Sequence, residues 1–219
     1  MKDFQQKYFQ KAKLAAAFLQ LTPFIRMIGL NGSVARGQAH QKSDIDFIII
    51  SKPGRVWTCR AFSFVLMAIL GLKRYQNKIA GRVCLNLYHT EDKMFLTCHT
   101  KELAQNHAQT LPLWQQRKQF LDFAAQNQWV SEFGEKFQNL PYEPNLTETY
   151  LSFILTFFRT LAEFIFELIF SDWGEAELRK YQEKRIGRDL RTIRSTKGEI
   201  FISDYELRFH PAKTKLLTK

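Results

Sequence analysis

Two carboxylates, Asp44 and Asp46, stand directly ahead of the apolar run Phe47 to Ile50 in the segment NGSVARGQAHQKSDIDFIII, residues 31–50. Along a strand, residues i and i+2 point to the same face. Both aspartates therefore project together, while Ile45 turns the other way, into a core. Carboxylates a few ångströms apart repel, and one tends to keep its proton unless positive charge lies between them. A divalent cation removes the conflict. An oxygen-only donor set suits Mg²⁺, with Mn²⁺ as the alternative ion, because Mg²⁺ keeps waters and takes substrate phosphates as further ligands. Upstream, Gly32 and Ser33 supply the complement. Glycine lets the backbone approach an anion closely, and backbone N–H groups with the Ser33 hydroxyl can hold phosphate oxygens. Arg36 and Lys42, in the spacer, are candidates to neutralise phosphates, and solvated surface charge explains them equally well.

The same segment excludes two common phosphate loops. GSVARG lacks the Gly-x-Gly-x-x-Gly spacing of a dinucleotide site, and no Gly-Lys-Ser/Thr closes it as in a Walker A loop. An Asp-x-Asp pair alone is more often a turn or the start of a strand than a metal site.

The elements that must position these residues follow from periodicity. Residues 3–20 favour a helix that Pro23 ends. FIRMIGL (24–30) and IDFIII (45–50) read as strands, the second apolar on both faces as in a covered sheet. SKPG (51–54) is a turn, and VWTCRAFSFVLMAILGL (56–72) is too long an apolar run for a strand and reads as a core helix stopped before the basic KRYQNK. RVCLNLY (82–88) is a strand, and KMFLTCH (93–99) is expected to pair with it as a hairpin through HTED. Residues 101–137 read as helical, broken by Pro112, and NLPYEPN (139–145) reads as a linker. The expected fold is α/β (α+β): a small mixed β-sheet flanked by helices, with a mainly helical C-terminal region and a terminal strand and tail. The expected division is 1–110 as the core and 111–219 as the C-terminal region.

Taken together, GSVARGQAHQKSDIDFII resembles the signature of the polymerase-beta-like nucleotidyltransferase superfamily: Gly-Ser, a spacer with a further Gly, then Ser-Asp-x-Asp running into an apolar strand. The small bacterial members of the minimal and aminoglycoside-modifying types look most similar, over roughly residues 24–90. The resemblance implies that Gly32 and Ser33 bind a nucleoside triphosphate and that Asp44 and Asp46 hold Mg²⁺. The implied reaction is in-line transfer of a nucleoside monophosphate to an acceptor, with release of pyrophosphate. The family usually carries a third carboxylate on a neighbouring strand. Here that strand is RVCLNLY, in which alternation puts Arg82, Cys84, Asn86 and Tyr88 on one face, and the position facing the site is Asn86. An amide cannot take a proton at neutral pH. Three explanations compete: a base from elsewhere (His89, Glu91, Asp92, Asp204 or His210), an acceptor that is already ionised, or a degenerate domain that binds nucleotide or RNA without turnover.

The remaining chain adds charge and apolar surface. The 219 residues are 45% hydrophobic and 24% charged, with a formal net charge of +11, which favours polyanionic partners. Lys184, Arg185, Arg188, Arg191 and Arg194 form a candidate patch for RNA or another phosphate-rich acceptor, with a solvated face as the alternative. Cys59, Cys84 and Cys98 have no metal-ligand spacing, and the N-terminus lacks a signal-peptide block, so a cytoplasmic location is expected. LSFILTFFRTLAEFIFELIF (151–170) is long enough to span a bilayer, but Arg159, Glu163 and Glu167 lie inside it. With Ser152 and Thr156 they form one polar stripe, so the segment reads as an amphipathic helix packed in a bundle, with no transmembrane segment. Its wide apolar face is also a candidate homodimer surface.

Overall fold

The computed structural model describes residues 2–75, 78–137, 150–188 and 200–209. The chain begins with helix α1 (Lys2–Leu19), followed by strand β1 (Ile25–Asn31), a one-turn helix α2 (Gly32–Ala35) and strand β2 (Ile45–Ser51). Helix α3 (Val56–Ile69), strand β3 (Val83–Thr90), helix α4 (Lys101–Ala108) and strand β4 (Leu111–Gln115) come next. Helix α5 (Gln119–Gln126), a 3₁₀ turn (Gln128–Phe133), helices α6 (Tyr150–Ile169) and α7 (Ser171–Gly187), and the short strands β5 (Phe201–Ile202) and β6 (Glu206–Arg208) complete the described elements. The strands form one mixed sheet in the order β4-β1-β2-β3-β6-β5, in which β2 and β3 run parallel and the other pairs antiparallel. This is the α/β (α+β) class that the sequence suggests.

The doubly apolar β2 lies at the centre because both its faces are covered. Ile45, Phe47 and Ile49 enter one core with α1 and α3, while Ile48 and Ile50 enter the second core with Leu103, Phe120 and Trp129. Such continuous apolar patterning is what a strand buried on both faces requires. Strands β4, β5 and β6, from the C-terminal half of the chain, extend the same sheet at both edges.

Three expectations need correction. The segment 93–99 forms no strand beyond a single bridge between Thr90 and Lys93. Its backbone N–H groups are taken by side chains instead: Met94 donates to Gln126 Oε1 and Leu96 to Asn127 Oδ1, and β6 occupies the place beside β3. Residues 111–115, expected to be helical, form β4. Pro112 fits because β4 is an edge strand, where a residue lacking N–H loses no ladder bond.

The third correction concerns α6. Its polar stripe faces inward and its apolar face outward. Arg159 is buried against the Trp114 ring at 4.7 Å. Glu163 accepts from Arg26 at 2.9 Å and from the Phe24 backbone N–H at 2.7 Å, at a residue held at positive φ (66°). Glu167 accepts from Lys52 at 3.0 Å and from Arg55. Meanwhile Phe153, Phe164 and Leu168 are 75%, 63% and 73% exposed. The helix is therefore seated by these charge pairs together with Leu155 and Phe166, the latter against Phe24 and Phe62 at 5.6 and 6.3 Å, not by a bundle core. No described helix is long and apolar enough to cross a membrane.

Removing one member of a buried charge cluster leaves the others desolvated and unpaired. Glu163→Ala, which strands Arg26 and Arg159, is expected to lower stability by about 3 kcal/mol in urea denaturation. A change below about 0.5 kcal/mol would mean that α6 is held by other contacts.

Candidate nucleotidyl-transfer site

The site lies at the end of the sheet where β1 finishes and β2 begins, with Asn31 directly opposite Asp46 in the ladder. Asn31 caps α2, its side chain accepting from Gly32 N at 2.8 Å, so the chain turns from strand into helix at the Gly-Ser pair. Gly32 has φ of +70°, and a Cβ there would collide with the Asp46 carboxylate. This position needs glycine both for its backbone angle and for its closeness to Asp46. Ser33 is half-buried in the same turn.

Asp44 and Asp46 converge as the i, i+2 argument requires. One oxygen of each and Cys84 Sγ lie within 4.8 Å of one another. Asp44 pairs with Arg74 at 2.7 Å, from the segment after α3. Asp46 accepts from the Asn86 amide, and Cys84 Sγ–H donates to Asn86 Oδ1. Burial, with the nearby Asp46 charge second, pushes the Cys84 thiol up to about 12. It therefore stays a neutral neighbour of the carboxylates.

The alternation expected on β3 holds only up to Asn86. The pairing of β2 with β3 shifts register between Phe47 and Ile48, leaving Asn86 as an extra residue. Cys84 and Asn86 share the site face. The bulge then turns Tyr88 to the opposite face, where its hydroxyl meets Ser63 at 2.8 Å, while Leu87 enters the second core.

The other anticipated residues are dispersed. Arg36 bonds to Asn106 on α4, and Lys42 is exposed, with its backbone N–H on His40 Nδ1 at 3.2 Å. His89 pairs across the ladder with Ile50, four positions beyond Asp46, or about 13 Å along the strand. Its Nδ1 lies 3.2 Å from the Lys93 carbonyl. Glu91, further along, accepts from Gln119 at 3.4 Å, and Asp92 is an exposed turn residue next to it. Asp204 holds Trp57 Nε1 and Arg179. Lys184, Arg185 and Arg188 are exposed, whereas Arg191, Arg194, His210 and the whole 139–145 linker lie outside the described residues.

Sequence reasoning missed two contributors. Arg74 sits in KRYQNK, which reads as a helix stop, and nothing in local spacing ties it to Asp44. His107 of α4 places Nδ1 3.4 Å from the Asn31 amide, fixing the residue that caps α2. A lone histidine carries no signal of that kind.

Residues 11–97, less than half of the chain, match the family model described as nucleotidyltransferase domain. This match is consistent with the polymerase-beta-like nucleotidyltransferase superfamily. No curated protein and no solved structure matches the chain.

Two predictions arise from this geometry. Gly32→Ala is expected to cost about 1–3 kcal/mol, from its backbone angle and the displaced Asp46, and to weaken Mn²⁺ binding measured by electron paramagnetic resonance. Unchanged stability and binding would contradict the close approach. The second concerns acid. Burial lowers His89 to about 4 and His107 to about 3, from an ordinary 6.5, so the folded protein holds both neutral. Below pH 6.5 the unfolded chain takes up these protons first, and stability falls until pH reaches the lowered values. Each histidine contributes a loss on the order of 1 kcal/mol per pH unit. Glu206, raised by burial, works in the opposite direction. The urea midpoint should therefore drop from pH 7 to pH 5, and His107→Gln should flatten that slope. An unaltered slope would place a compensating partner at His107.

Proposed function

We propose that the protein is a Mg²⁺-dependent nucleotidyltransferase that moves a nucleoside monophosphate from a nucleoside triphosphate to an acceptor. The carrying observation is the convergence of Asp44 and Asp46 beside Gly32. Two carboxylate oxygens within reach of each other fit one hard divalent cation, completed by water and phosphate oxygens. Asn86 and Cys84 supply an amide and a neutral thiol, which fit a second ion poorly. Asp44 and Asp46 would hold the ion, which would supply positive charge to offset the charge developing on the triphosphate.

The chain's own residues do the rest. Gly32 leaves room for a phosphate to approach the backbone, and the N–H groups and Ser33 hydroxyl of α2 can orient its oxygens. Arg74, which neutralises Asp44 here, is released when a cation takes the carboxylates and is then available to the phosphates. The core of the activity is proposed for residues 1–110, with 111–219 completing the sheet edges and supplying Arg185. RNA or another phosphate-rich acceptor is supported by the basic residues of α7, and a homodimer by the outward apolar face of α6.

A second reading, nucleotide binding without turnover, is favoured by Asn86 at the position of the usual third carboxylate. One experiment separates them. Asp44→Asn and Asp46→Asn are each expected to reduce Mg²⁺-dependent pyrophosphate release from labelled nucleoside triphosphates by at least about a hundredfold. Equal release by wild type and both variants would refute the catalytic reading.

A further inference from the structure

Several surface cations of this chain are paired: Lys52 with Glu167, Arg179 with Glu183 and Asp204, Lys180 with Glu177. One group is not. Lys7 and Lys11 stand one turn apart on α1, about 6 Å along its axis, and share a flank of the helix beside Tyr8. Tyr8 fixes what that flank meets. Its hydroxyl donates to the Gln41 carbonyl at 2.9 Å, and its ring lies so close to Gly81 that a Cβ there would stand 2.6 Å from Cε1. Lys42 follows Gln41, and Arg82 follows Gly81. Four cations from three segments are thus placed around one tyrosine. Among the described residues none of the four forms an ion pair with a carboxylate. Burial, with the Arg82 and Lys7 charges next, holds Lys11 below its ordinary value.

The group adjoins the carboxylate site through the backbone. Gly81 N–H donates to the Ser43 carbonyl at 2.7 Å, and Ile45 N–H donates to the Arg82 carbonyl at 2.8 Å, so residues 81 and 82 bracket Asp44. Gln5, on α1, donates to the Val34 carbonyl at 2.9 Å and accepts from Ala39 N–H at 3.0 Å, which ties the same helix to the turn that carries Gly32 and Ser33. Lys7 and Lys42 are exposed, and Lys11 and Arg82 are half-buried. The exposed sequence neighbours of the two α1 lysines are Gln6 and Gln10, whose amides can bond phosphate, sugar or base edges and offer a bilayer nothing to insert. Like charge left uncompensated on several segments opposes folding, and a polyanion that spans them relieves it. Lysine ammoniums are point charges on flexible stems. Spread over separate segments, they suit a succession of phosphates.

We infer that this face binds a nucleic-acid strand, its phosphates resting on Lys7, Lys11, Arg82 and Lys42 and its course passing beside Asp44. The binding needs neither Mg²⁺ nor turnover, so it stands apart from the nucleotidyl-transfer reading above. It adds to that reading a place, next to the carboxylates, from which a strand can approach as acceptor.

The test is fluorescence anisotropy of the full chain with a labelled, unstructured RNA of about 15 nucleotides and with its DNA copy, in EDTA, between about 50 and 200 mM KCl. Four phosphate contacts predict that log K falls with log salt at a slope of about −3. Lys7→Gln and Lys42→Gln, both at exposed positions, should each weaken binding by about threefold to tenfold and make the slope shallower by about 0.7. Arg82→Glu should weaken it further, and Arg82→Lys should keep most of the wild-type affinity. Urea midpoints equal to that of the wild type show that the exposed variants fold. A slope left unchanged by Lys7→Gln and Lys42→Gln but made shallower by Lys184→Gln and Arg188→Gln would place the strand on α7 and overturn the inference. No measurable binding of either strand at 50 mM salt would also overturn it. So would binding to phosphatidylserine vesicles that Lys7→Gln and Lys42→Gln weaken while leaving RNA binding unaltered. Pyrophosphate release is measured separately. Its absence in the wild type counts against the nucleotidyl-transfer reading, while the anisotropy alone decides the strand.

Discussion

Two carboxylates held together at the half-buried start of a sheet strand cannot both remain charged without positive charge close by. That constraint organises this end of the molecule. Asp44 and Asp46 are forced into proximity by the period of β2, since Ile45 between them is buried in the opposite core. Arg74 answers one of them and the Asn86 amide the other. These are different kinds of compensation. A guanidinium on a mobile stem can yield to a divalent ion and its phosphates, whereas an amide donates a hydrogen bond without contributing charge. The pair is thereby kept convergent in a form that a cation can take over.

The geometry around the pair depends on two local irregularities. Gly32, at positive φ, lets the first turn of α2 lie against Asp46, where any side chain would collide. The bulge at Asn86 separates the functional and structural parts of β3. Before it, Cys84 and Asn86 face the carboxylates; after it, Leu87 and Tyr88 enter opposite cores. A regular strand would have sent Tyr88 to the site face and removed its hydroxyl from Ser63. Bulges re-aim side chains next to active sites at the cost of a ladder interaction, and here the re-aimed strand serves both purposes.

Much of this was legible in the sequence, for identifiable reasons. Apolar runs of strand length and the Gly-Ser…Asp-x-Asp spacing are local signals, and β1, β2, β3, α1 and α3 lie where those signals fall. The convergence of Asp44 and Asp46 follows from strand geometry alone. Non-local features were not legible. Arg74 reaches Asp44 across 30 residues, and only the fold brings them together. Segment 93–99 has strand composition, yet the side chains of Gln126 and Asn127 satisfy its backbone before a neighbouring strand can. Pro112 reads as a helix breaker, but an edge strand tolerates it equally well, and edge position is a property of the finished sheet.

Helix α6 shows why an amphipathic period does not reveal which face is buried. The usual inference assigns the apolar stripe to the core. Here the polar stripe meets Arg26, Lys52 and Arg55 at the end of the sheet remote from Asp44, and the buried guanidiniums of Arg26 and Arg55 require carboxylate partners. Glu163 and Glu167 satisfy them, and Glu163 also accepts the N–H of Phe24, where the backbone is strained at the start of β1. Orienting the helix the other way would leave two arginines, a lysine and a buried N–H without these acceptors. Leu155 and Phe166 stay buried on the inward side, and apolar side chains left on the surface still contact one another, as the Phe157–Phe158 rings do at 5.7 Å. The electrostatic demand of the sheet end therefore sets the orientation of α6. The apolar face turns outward as a consequence, at the end of the sheet opposite the carboxylates.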